Sequence, residues 1–222
     1  MLRRKDSEAL RIAFGGSRLL QEDGIGSPVR LRFDRRRFAW TGAFAAVVLG
    51  LFTLVSRLPF AFNFTESLPV GLYRLTPLAG RLAQGTTIEV CPPAAVAALG
   101  RSRAYLLPGE ACPARTATIL KIVAAVAGDT VDVRDDGILV DGRALANSAP
   151  RVRDSVGRPL PRLSRGRRIL APGQIWLWTP NPVSFDSRYY GSVPARSAVV
   201  RARLVWQTAP WPYAAALPTA AP

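Results

Sequence analysis

The feature that most constrains this chain is a run of nineteen residues, 38–56, that contains no charged side chain. About twenty consecutive apolar residues suffice for a helix to cross a bilayer. Arg35, Arg36 and Arg37 stand directly before the run, and the positive-inside rule therefore places residues 1–37 in the cytoplasm. We expect one transmembrane helix at 38–56, with residues 57–222 on the far side of the membrane.

Two other interpretations of this run are a cleaved signal peptide and a buried core helix. A cleaved signal peptide would have a shorter apolar region, a nearby N-terminus and small residues at its exit, whereas 37 residues precede the run here. A buried core helix would normally carry polar positions on one face. An uncleaved anchor accounts for the pattern better, and the ten basic residues of the preceding tail suit contact with anionic membrane lipid.

The part of the chain after the run has the pattern of a mostly β domain. Short apolar stretches bounded by Gly, Pro and Asp predict strands at residues 86–90, 119–127, 131–133, 138–140, 174–178 and 198–206. The best short helix candidate is 92–99. We expect a single, antiparallel and partly closed β domain, followed after Trp206 by a loosely packed tail rich in Ala and Pro.

The charge balance restricts the partners. Lys and Arg together number 30 against 15 Asp and Glu, a net charge of +15, which favours anionic partners. Residues 151–168 hold seven arginines and one aspartate, which predicts an exposed loop or hairpin. This segment is either simply solvated or contacts a membrane surface or an acidic substrate. It has no interleaved aromatic residue, so no nucleic-acid partner is expected.

The residue types that are missing narrow the chemistry. The chain has no histidine, which excludes Ser-His-Asp and Cys-His catalysis and the commonest zinc ligands. No metal site and no cofactor are therefore expected. Cys91 and Cys112 are the two cysteines, and they are too far apart for a CxxC pair. They form a disulfide if this region is exported; otherwise they are two partly buried thiols.

Two residues are candidates for nucleophilic chemistry. Ser67 stands before a turn set by Pro69 and Gly71, and by itself it would be an ordinary turn serine. Lys121 is the one lysine besides Lys5, and it lies in an apolar strand where desolvation lowers the pKa of an amine. On the solvent face of an edge strand it would instead discourage aggregation. Without histidine, however, a serine nucleophile needs another base, and a lysine is the known substitute.

Three stretches of the chain resemble one family. They are Ser-Leu-Pro-Val-Gly-Leu-Tyr at 67–73, Leu-Lys-Ile-Val-Ala-Ala-Val-Ala-Gly-Asp at 120–129, and Ser-Phe-Asp-Ser-Arg-Tyr-Tyr-Gly at 184–191. Their order and spacing resemble the type I signal peptidases, in particular the conjugative-transfer branch called TraF. The resemblance covers roughly residues 60–205 and implies a signal-peptidase-like antiparallel β fold.

The resemblance also implies roles for individual residues. Ser67 matches the nucleophile and Lys121 the general base of a Ser-Lys dyad. Thr65 matches a hydroxyl that stabilises the oxyanion together with the backbone N–H of Ser67. Asp186 matches an acidic position implicated in activity, and the cysteine pair between the first two stretches also fits this branch. Glu66 departs from the pattern, because a carboxylate near the base would raise its pKa; its side chain is therefore expected to be solvated.

The implied function is that of a single-pass protein of the inner membrane with a periplasmic serine peptidase domain at 57–222. Its partners would be pilin or other exported precursors with small residues before the cleaved bond, and the product would be linear or cyclic. The alternatives are a housekeeping type I signal peptidase, and a non-enzymatic anchored β module of a secretion or conjugation machine. A cytoplasmic, self-cleaving Ser-Lys regulator is disfavoured by the predicted anchor.

Overall fold

The computed structural model describes residues 35–217, which fall into two units that meet at the boundary between Ser56 and Arg57. The first unit contains one helix, α1 (Arg35–Ser56), so the predicted anchor segment is helical. The side chains at 39–54 are exposed. Among the described residues, no helix meets the length and hydropathy needed to cross a bilayer. Residues 1–34 of the predicted cytoplasmic tail lie outside the described residues.

The second unit is built mainly from antiparallel strands, as predicted. The described strands, in chain order, are β1 (Phe60–Asn63), β2 (Gly71–Pro77), β3 (Thr87–Val90), β4 (Ile119–Val126), β5 (Thr130–Val133), β6 (Ile138–Val140), β7 (Arg143–Ala144), β8 (Gly166–Ile169), β9 (Gln174–Trp178), β10 (Val193–Pro194) and β11 (Ala198–Gln207). Two short helices accompany them, α2 (Ala94–Ser102) and α3 (Ser187–Tyr190).

The strands form two sheets. The larger has the order β1-β2-β11-β3-β4-β9-β10, and the smaller has the order β7-β6-β5-β8. In the described part of the chain each sheet has two edge strands, so neither sheet is closed on itself by strand pairing. β4 continues through a Gly-Asp turn into β5 and thereby joins the two sheets.

The central strands of the larger sheet are buried on both faces, which explains their nearly continuous apolar sequence. On β9, Trp176 and Trp178 pack into one core cluster, whereas Ile175 and Leu177 pack into another. Side chains alternate between the faces of a strand, so the two clusters lie on opposite sides of the sheet. This double burial makes β4 and β9 a rigid support for any residue they carry.

The sequence predicted most central strands but missed others. β1 and β2 were not predicted, and the segment predicted to be an exposed loop or hairpin ends in β8, which pairs with β5. The prediction of a loosely packed tail after Trp206 was wrong for the described residues up to Leu217. Trp211 is 8% exposed and packs in the core, because a large aromatic side chain gains more from burial than the flanking Ala and Pro lose in flexibility.

Candidate active site

Ser67 lies in a tight turn between β1 and β2. The side chain of Asn63, the last residue of β1, organises this turn. Its oxygen accepts hydrogen bonds from the N–H and the hydroxyl of Thr65, at 3.1 and 2.8 Å. Its amide group lies 3.1 and 3.0 Å from the carbonyls of Leu68 and Pro69. Leu68 is buried directly after the serine, so the turn anchors Ser67 at the edge of the core.

The peptide bond between Glu66 and Ser67 is held in one orientation. The Glu66 carbonyl accepts hydrogen bonds from the Asn181 amide at 2.8 Å and from the indole N–H of Trp211 at 3.2 Å. In a trans peptide the C=O and the N–H point in opposite directions. The N–H of Ser67 has no hydrogen-bond partner among the described residues. A fixed, unused donor therefore stands beside the serine hydroxyl, where an oxyanion donor is needed.

Lys121 reaches Ser67 from the core of the larger sheet. It lies on β4 opposite Ile88 of β3, and only 4% of its surface is exposed. Its Nζ lies 3.2 Å from the Oγ of Ser67 and 2.8 Å from the Oγ of Ser184. The two side chains that the sequence paired are thus within hydrogen-bond distance across 54 residues of chain.

The surroundings of Lys121 make its amine easier to deprotonate than that of an exposed lysine. Burial lowers the pKa of Lys121 from 10.5 to about 8; the Asp186 carboxylate opposes this shift, and the charge of Arg188 adds to it. Burial dominates because an ammonium ion loses its hydration in an apolar strand. A buried amine of this kind can accept a proton from a neighbouring hydroxyl near neutral pH.

Ser184 is a site residue that the sequence did not single out. It is 3% exposed, and its hydroxyl is the nearer of the two that contact Lys121. A second hydrogen bond restricts the rotation of the amine, so that its lone pair can face Ser67. The sequence feature that could have identified Ser184 is its position at the start of the third stretch, two residues before Asp186. No pattern in the neighbouring sequence indicates its contact with Lys121.

Asp186 is placed away from the reacting groups. Its carboxylate receives two hydrogen bonds from the guanidinium of Arg188, at 2.6 and 2.8 Å, and both side chains are fully buried. It also caps α3 by accepting the backbone N–H of Arg188. Among the described residues, the carboxylate makes no hydrogen bond to Lys121 or Ser67. The Asp186 charge raises the pKa of Lys121, and its carboxylate holds the backbone N–H groups of Thr179 and Arg188.

Thr65 lies beside Ser67 in the wall of one cavity. Its side chain is exposed, and its hydroxyl donates to Asn63. In this arrangement the hydroxyl proton is already used, so an oxyanion contact requires rotation of the Thr65 side chain. The side chain of Glu66 is exposed, as expected for a carboxylate kept away from Lys121.

A cavity of about 340 Å³ opens beside Ser67 and Lys121. Most of its wall is apolar and comes from β1, β4 and the segment after α2; the lining includes Ala61, Phe62, Leu106, Ala117, Ile119, Leu120 and Phe185. A short, uncharged side chain fits such a space at low desolvation cost.

Cys91 and Cys112 form a disulfide, with their Cα atoms 5.4 Å apart. The bond closes a loop that contains α2 and the residues Tyr105, Leu106 and Leu107, which line the cavity. It thus fastens one wall of the cavity to the end of β3. In the part of the chain that the structure describes, no group of three or more acidic or cysteine side chains is placed to hold a metal ion.

Comparison with known proteins identifies the family of this chain. The family model described as signal peptidase, peptidase S26, matches residues 35–207. The chain belongs to the signal peptidase family. This membership makes it a serine peptidase by class, and it confirms the family resemblance inferred from the three stretches.

Conjugal transfer proteins are among the relatives of this signal peptidase family member. A probable conjugal transfer protein TraF from Sinorhizobium fredii is 34% identical over 186 residues, covering 83% of this chain and 93% of the relative. Conjugal transfer protein TraF from Agrobacterium tumefaciens is 34% identical over 177 residues, covering 79% and 98%. A crystal structure of signal peptidase I from Enterococcus faecalis is 18% identical, with a TM-score of 0.31, and the match covers 55% of this chain and 98% of that one.

Proposed function

We propose that this protein is a membrane-anchored Ser-Lys peptidase that processes exported precursor proteins in conjugative transfer. One observation carries the assignment: the buried Nζ of Lys121 lies 3.2 Å from the Oγ of Ser67. Membership of the signal peptidase family and similarity to conjugal transfer proteins named TraF support it. The proposal has three parts, namely the reaction, the substrate and the attachment to the membrane.

The first step of the reaction is proton transfer from Ser67 to neutral Lys121. With a pKa of about 8, roughly a tenth of the lysines are neutral at pH 7. The activated Oγ attacks the carbonyl carbon of the scissile peptide bond. Ser184 keeps the amine of Lys121 directed at Ser67, which reduces the entropic cost of the transfer.

The second step is collapse of the tetrahedral intermediate. The N–H of Ser67, which the contacts of Asn181 and Trp211 hold in place, donates to the oxyanion, and Thr65 adds its hydroxyl after rotating. The C–N bond then breaks, and the leaving amine takes the proton from the Lys121 ammonium. The resulting acyl-enzyme is resolved by water to a linear product, or by an amino group of the same substrate to a cyclic one.

The proposed substrates are pilin or other exported precursors with small residues before the cleaved bond. The apolar cavity beside Ser67 suits a short side chain in that position. An extended substrate also finds an open strand edge, since β1 is the terminal strand of the larger sheet. Exposed strand edges bind peptides through backbone hydrogen bonds, which do not depend on sequence.

The proposed location is the inner membrane, with α1 as a single span, the N-terminus in the cytoplasm and the peptidase domain in the periplasm. Three basic residues precede the uncharged segment, and the apolar side chains of α1 that are described are exposed. The disulfide between Cys91 and Cys112 suits an oxidising compartment. Attachment to the same bilayer would raise the effective concentration of membrane-bound substrates.

The deciding experiment is processing of a co-expressed pilin precursor by the wild type and by Ser67→Ala and Lys121→Met. Ser192→Ala is a matched control, since Ser192 is an exposed serine of the same domain. We expect both active-site variants to lose processing by orders of magnitude and the control to retain it. Near-normal processing by either active-site variant would refute the role of that residue and favour the non-enzymatic module.

Two further measurements complete this test. Mass spectrometry of the product separates hydrolysis from cyclisation, because the cyclic product lacks one water. Extraction of isolated membranes with alkaline carbonate tests the anchor. Protease digestion of intact spheroplasts, in a separate sample, tests its orientation. Release of the protein by carbonate would refute the transmembrane part of the proposal while leaving the reaction untouched.

A further inference from the structure

A second cavity, of about 300 Å³, opens at the active serine. It shares Ser67, Tyr105 and Phe185 with the apolar cavity described above. The rings of Tyr105 and Phe185 contact each other at 5.0 Å between centroids. Since both cavities meet at the nucleophile, a substrate can extend in both directions from Ser67.

Both cavities have mainly apolar walls that include charged side chains, and the first contains Glu89 beside the base Lys121. The proposed function assigns the first cavity to the residues before the cleaved bond. The second cavity has the charged residues Glu66, Arg151 and Asp154 in its wall. It is therefore left for the residues that follow the cleaved bond and leave with the amine.

Asp154 does not neutralise Arg151 in this second cavity. The Asp154 carboxylate pairs with Arg158 at 2.6 Å and accepts the Tyr105 hydroxyl at 2.5 Å. It also accepts the backbone N–H groups of Val156 and Arg158. Its hydrogen-bonding capacity is thus used by Tyr105 and by its own turn, and its charge is balanced by Arg158.

Arg151 stands apart from the other arginines of the segment 151–168. Among the described residues its guanidinium makes no hydrogen bond and no ion pair, although its backbone N–H donates to the Tyr189 hydroxyl at 3.3 Å. The other six guanidinium groups of the segment all have partners, namely those of Arg153, Arg158, Arg162, Arg165, Arg167 and Arg168. Within this segment, as the structure describes it, the arginine without a guanidinium partner is also the one that lines the cavity at Ser67 together with Glu66.

We propose that Arg151 binds a carboxylate in the part of the substrate that follows the cleaved bond, an inference that rests on the proposed peptidase function. A guanidinium is suited to this because it presents paired N–H donors to the two oxygens of a carboxylate. The carboxylate belongs either to an acidic side chain or to the free C-terminus of a short leaving segment. Glu66 opposes this binding, since its carboxylate repels a second one.

The test compares peptides that share the residues before the cleaved bond. Their leaving segments contain Glu, Gln or Lys at the same position, and each is made with a free or an amidated C-terminus. The full-length protein in detergent micelles is assayed as wild type, Arg151→Gln, Arg151→Glu and Glu66→Gln. Arg153→Gln is the control, because Arg153 belongs to the same segment but bonds its own turn.

We expect the wild type and Arg153→Gln to prefer an acidic leaving segment by about two- to five-fold in kcat/KM, the range of a solvent-accessible ion pair. Arg151→Gln should remove this preference, Arg151→Glu should reverse it towards Lys, and Glu66→Gln should increase it. The preference should weaken as salt screens the pair. If amidation of the C-terminus removes the preference, the bound carboxylate is that of the C-terminus. If amidated peptides with Glu are still preferred, the bound carboxylate is that of the Glu side chain.

Two outcomes separate failure of this inference from failure of the proposed function. Equal cleavage of the Glu, Gln and amidated peptides by the wild type would overturn the carboxylate site and leave the peptidase standing. Absence of cleavage of any of these peptides, by an enzyme that also fails on the pilin precursor, would overturn both.

Discussion

Replacing Asp186 by Asn would leave the guanidinium of Arg188 charged and buried without its counter-ion. Both side chains are fully buried, and two short hydrogen bonds of 2.6 and 2.8 Å join them. Breaking a buried pair from one side costs about 3–5 kcal/mol. Asparagine keeps an oxygen that can cap α3, so the loss of the cap adds little. For a domain of this size, we expect the Tm to fall by about 6–20 °C.

The same substitution should change the pH dependence of activity. The Asp186 carboxylate raises the pKa of Lys121, whereas the charge of Arg188 lowers it. Removing the carboxylate leaves the lowering effect unopposed, so the pKa of Lys121 moves further down. More of the amine is then neutral at a given pH, and the rising limb of the pH–rate profile shifts to lower pH.

The assay combines thermal unfolding with cleavage rates between pH 5 and 10. Asp136→Asn is the control, since Asp136 is exposed. The double variant Asp186→Asn/Arg188→Gln removes the unpaired charge and should recover part of the lost stability. If Asp186→Asn lowered cleavage by orders of magnitude at every pH while the Tm and the shape of the profile stayed unchanged, the reasoning would be refuted. Asp186 would then take part in the reaction directly.

Three further predictions concern the wild-type profile, the held peptide bond and the disulfide. Since only neutral Lys121 accepts the serine proton, cleavage by the wild type should fall about ten-fold per pH unit below a pKa of about 8; a flat profile from pH 6 to 9 would contradict this. Trp211→Phe removes one of the two donors to the carbonyl that precedes the serine, so steady-state kinetics should show kcat reduced several-fold with KM unchanged, whereas Trp206→Phe at an exposed position should change neither. The disulfide closes a loop of about twenty residues, and by restricting the unfolded chain it stabilises the folded protein by about 3 kcal/mol. Thermal unfolding of Cys91→Ser/Cys112→Ser should therefore show a Tm lowered by about 6–12 °C. A Tm equal to that of the wild type would show that the bond constrains the unfolded chain little.

Much of the site chemistry followed from the sequence because it depended on which residue types were present. A chain without histidine and with a single lysine beyond its N-terminal tail leaves few candidates for a base. Lys121 was therefore the candidate base, and the resemblance of the three stretches to the signal peptidases implied Ser67 as its partner. The strands β4 and β9 were also predictable, because an apolar run bounded by turn residues is a local signal.

Other features were locally ambiguous. β1 and β2 flank a turn rich in polar residues, and their apolar runs are short. β8 carries two arginines, and this composition predicts a solvated loop when the partner strand is not known. Whether the uncharged segment spans a membrane stays a prediction, since its sequence supports a span and the described residues do not include one.

Only the tertiary structure decided what surrounds the pair. Ser184 reaches Lys121 across 63 residues of chain, and Trp211 reaches the Glu66 carbonyl across 145. Such contacts leave no periodicity in the sequence, because each depends on where the sheets bring distant segments together. For the same reason, the sequence could rank Asp186 as reactive and treat the arginines of 151–168 alike. Burial and hydrogen-bond partners exist only in the folded chain; they pair Asp186 with Arg188 and, among the residues that the structure describes, leave the guanidinium of Arg151 without a partner in the cavity that Ser67 lines.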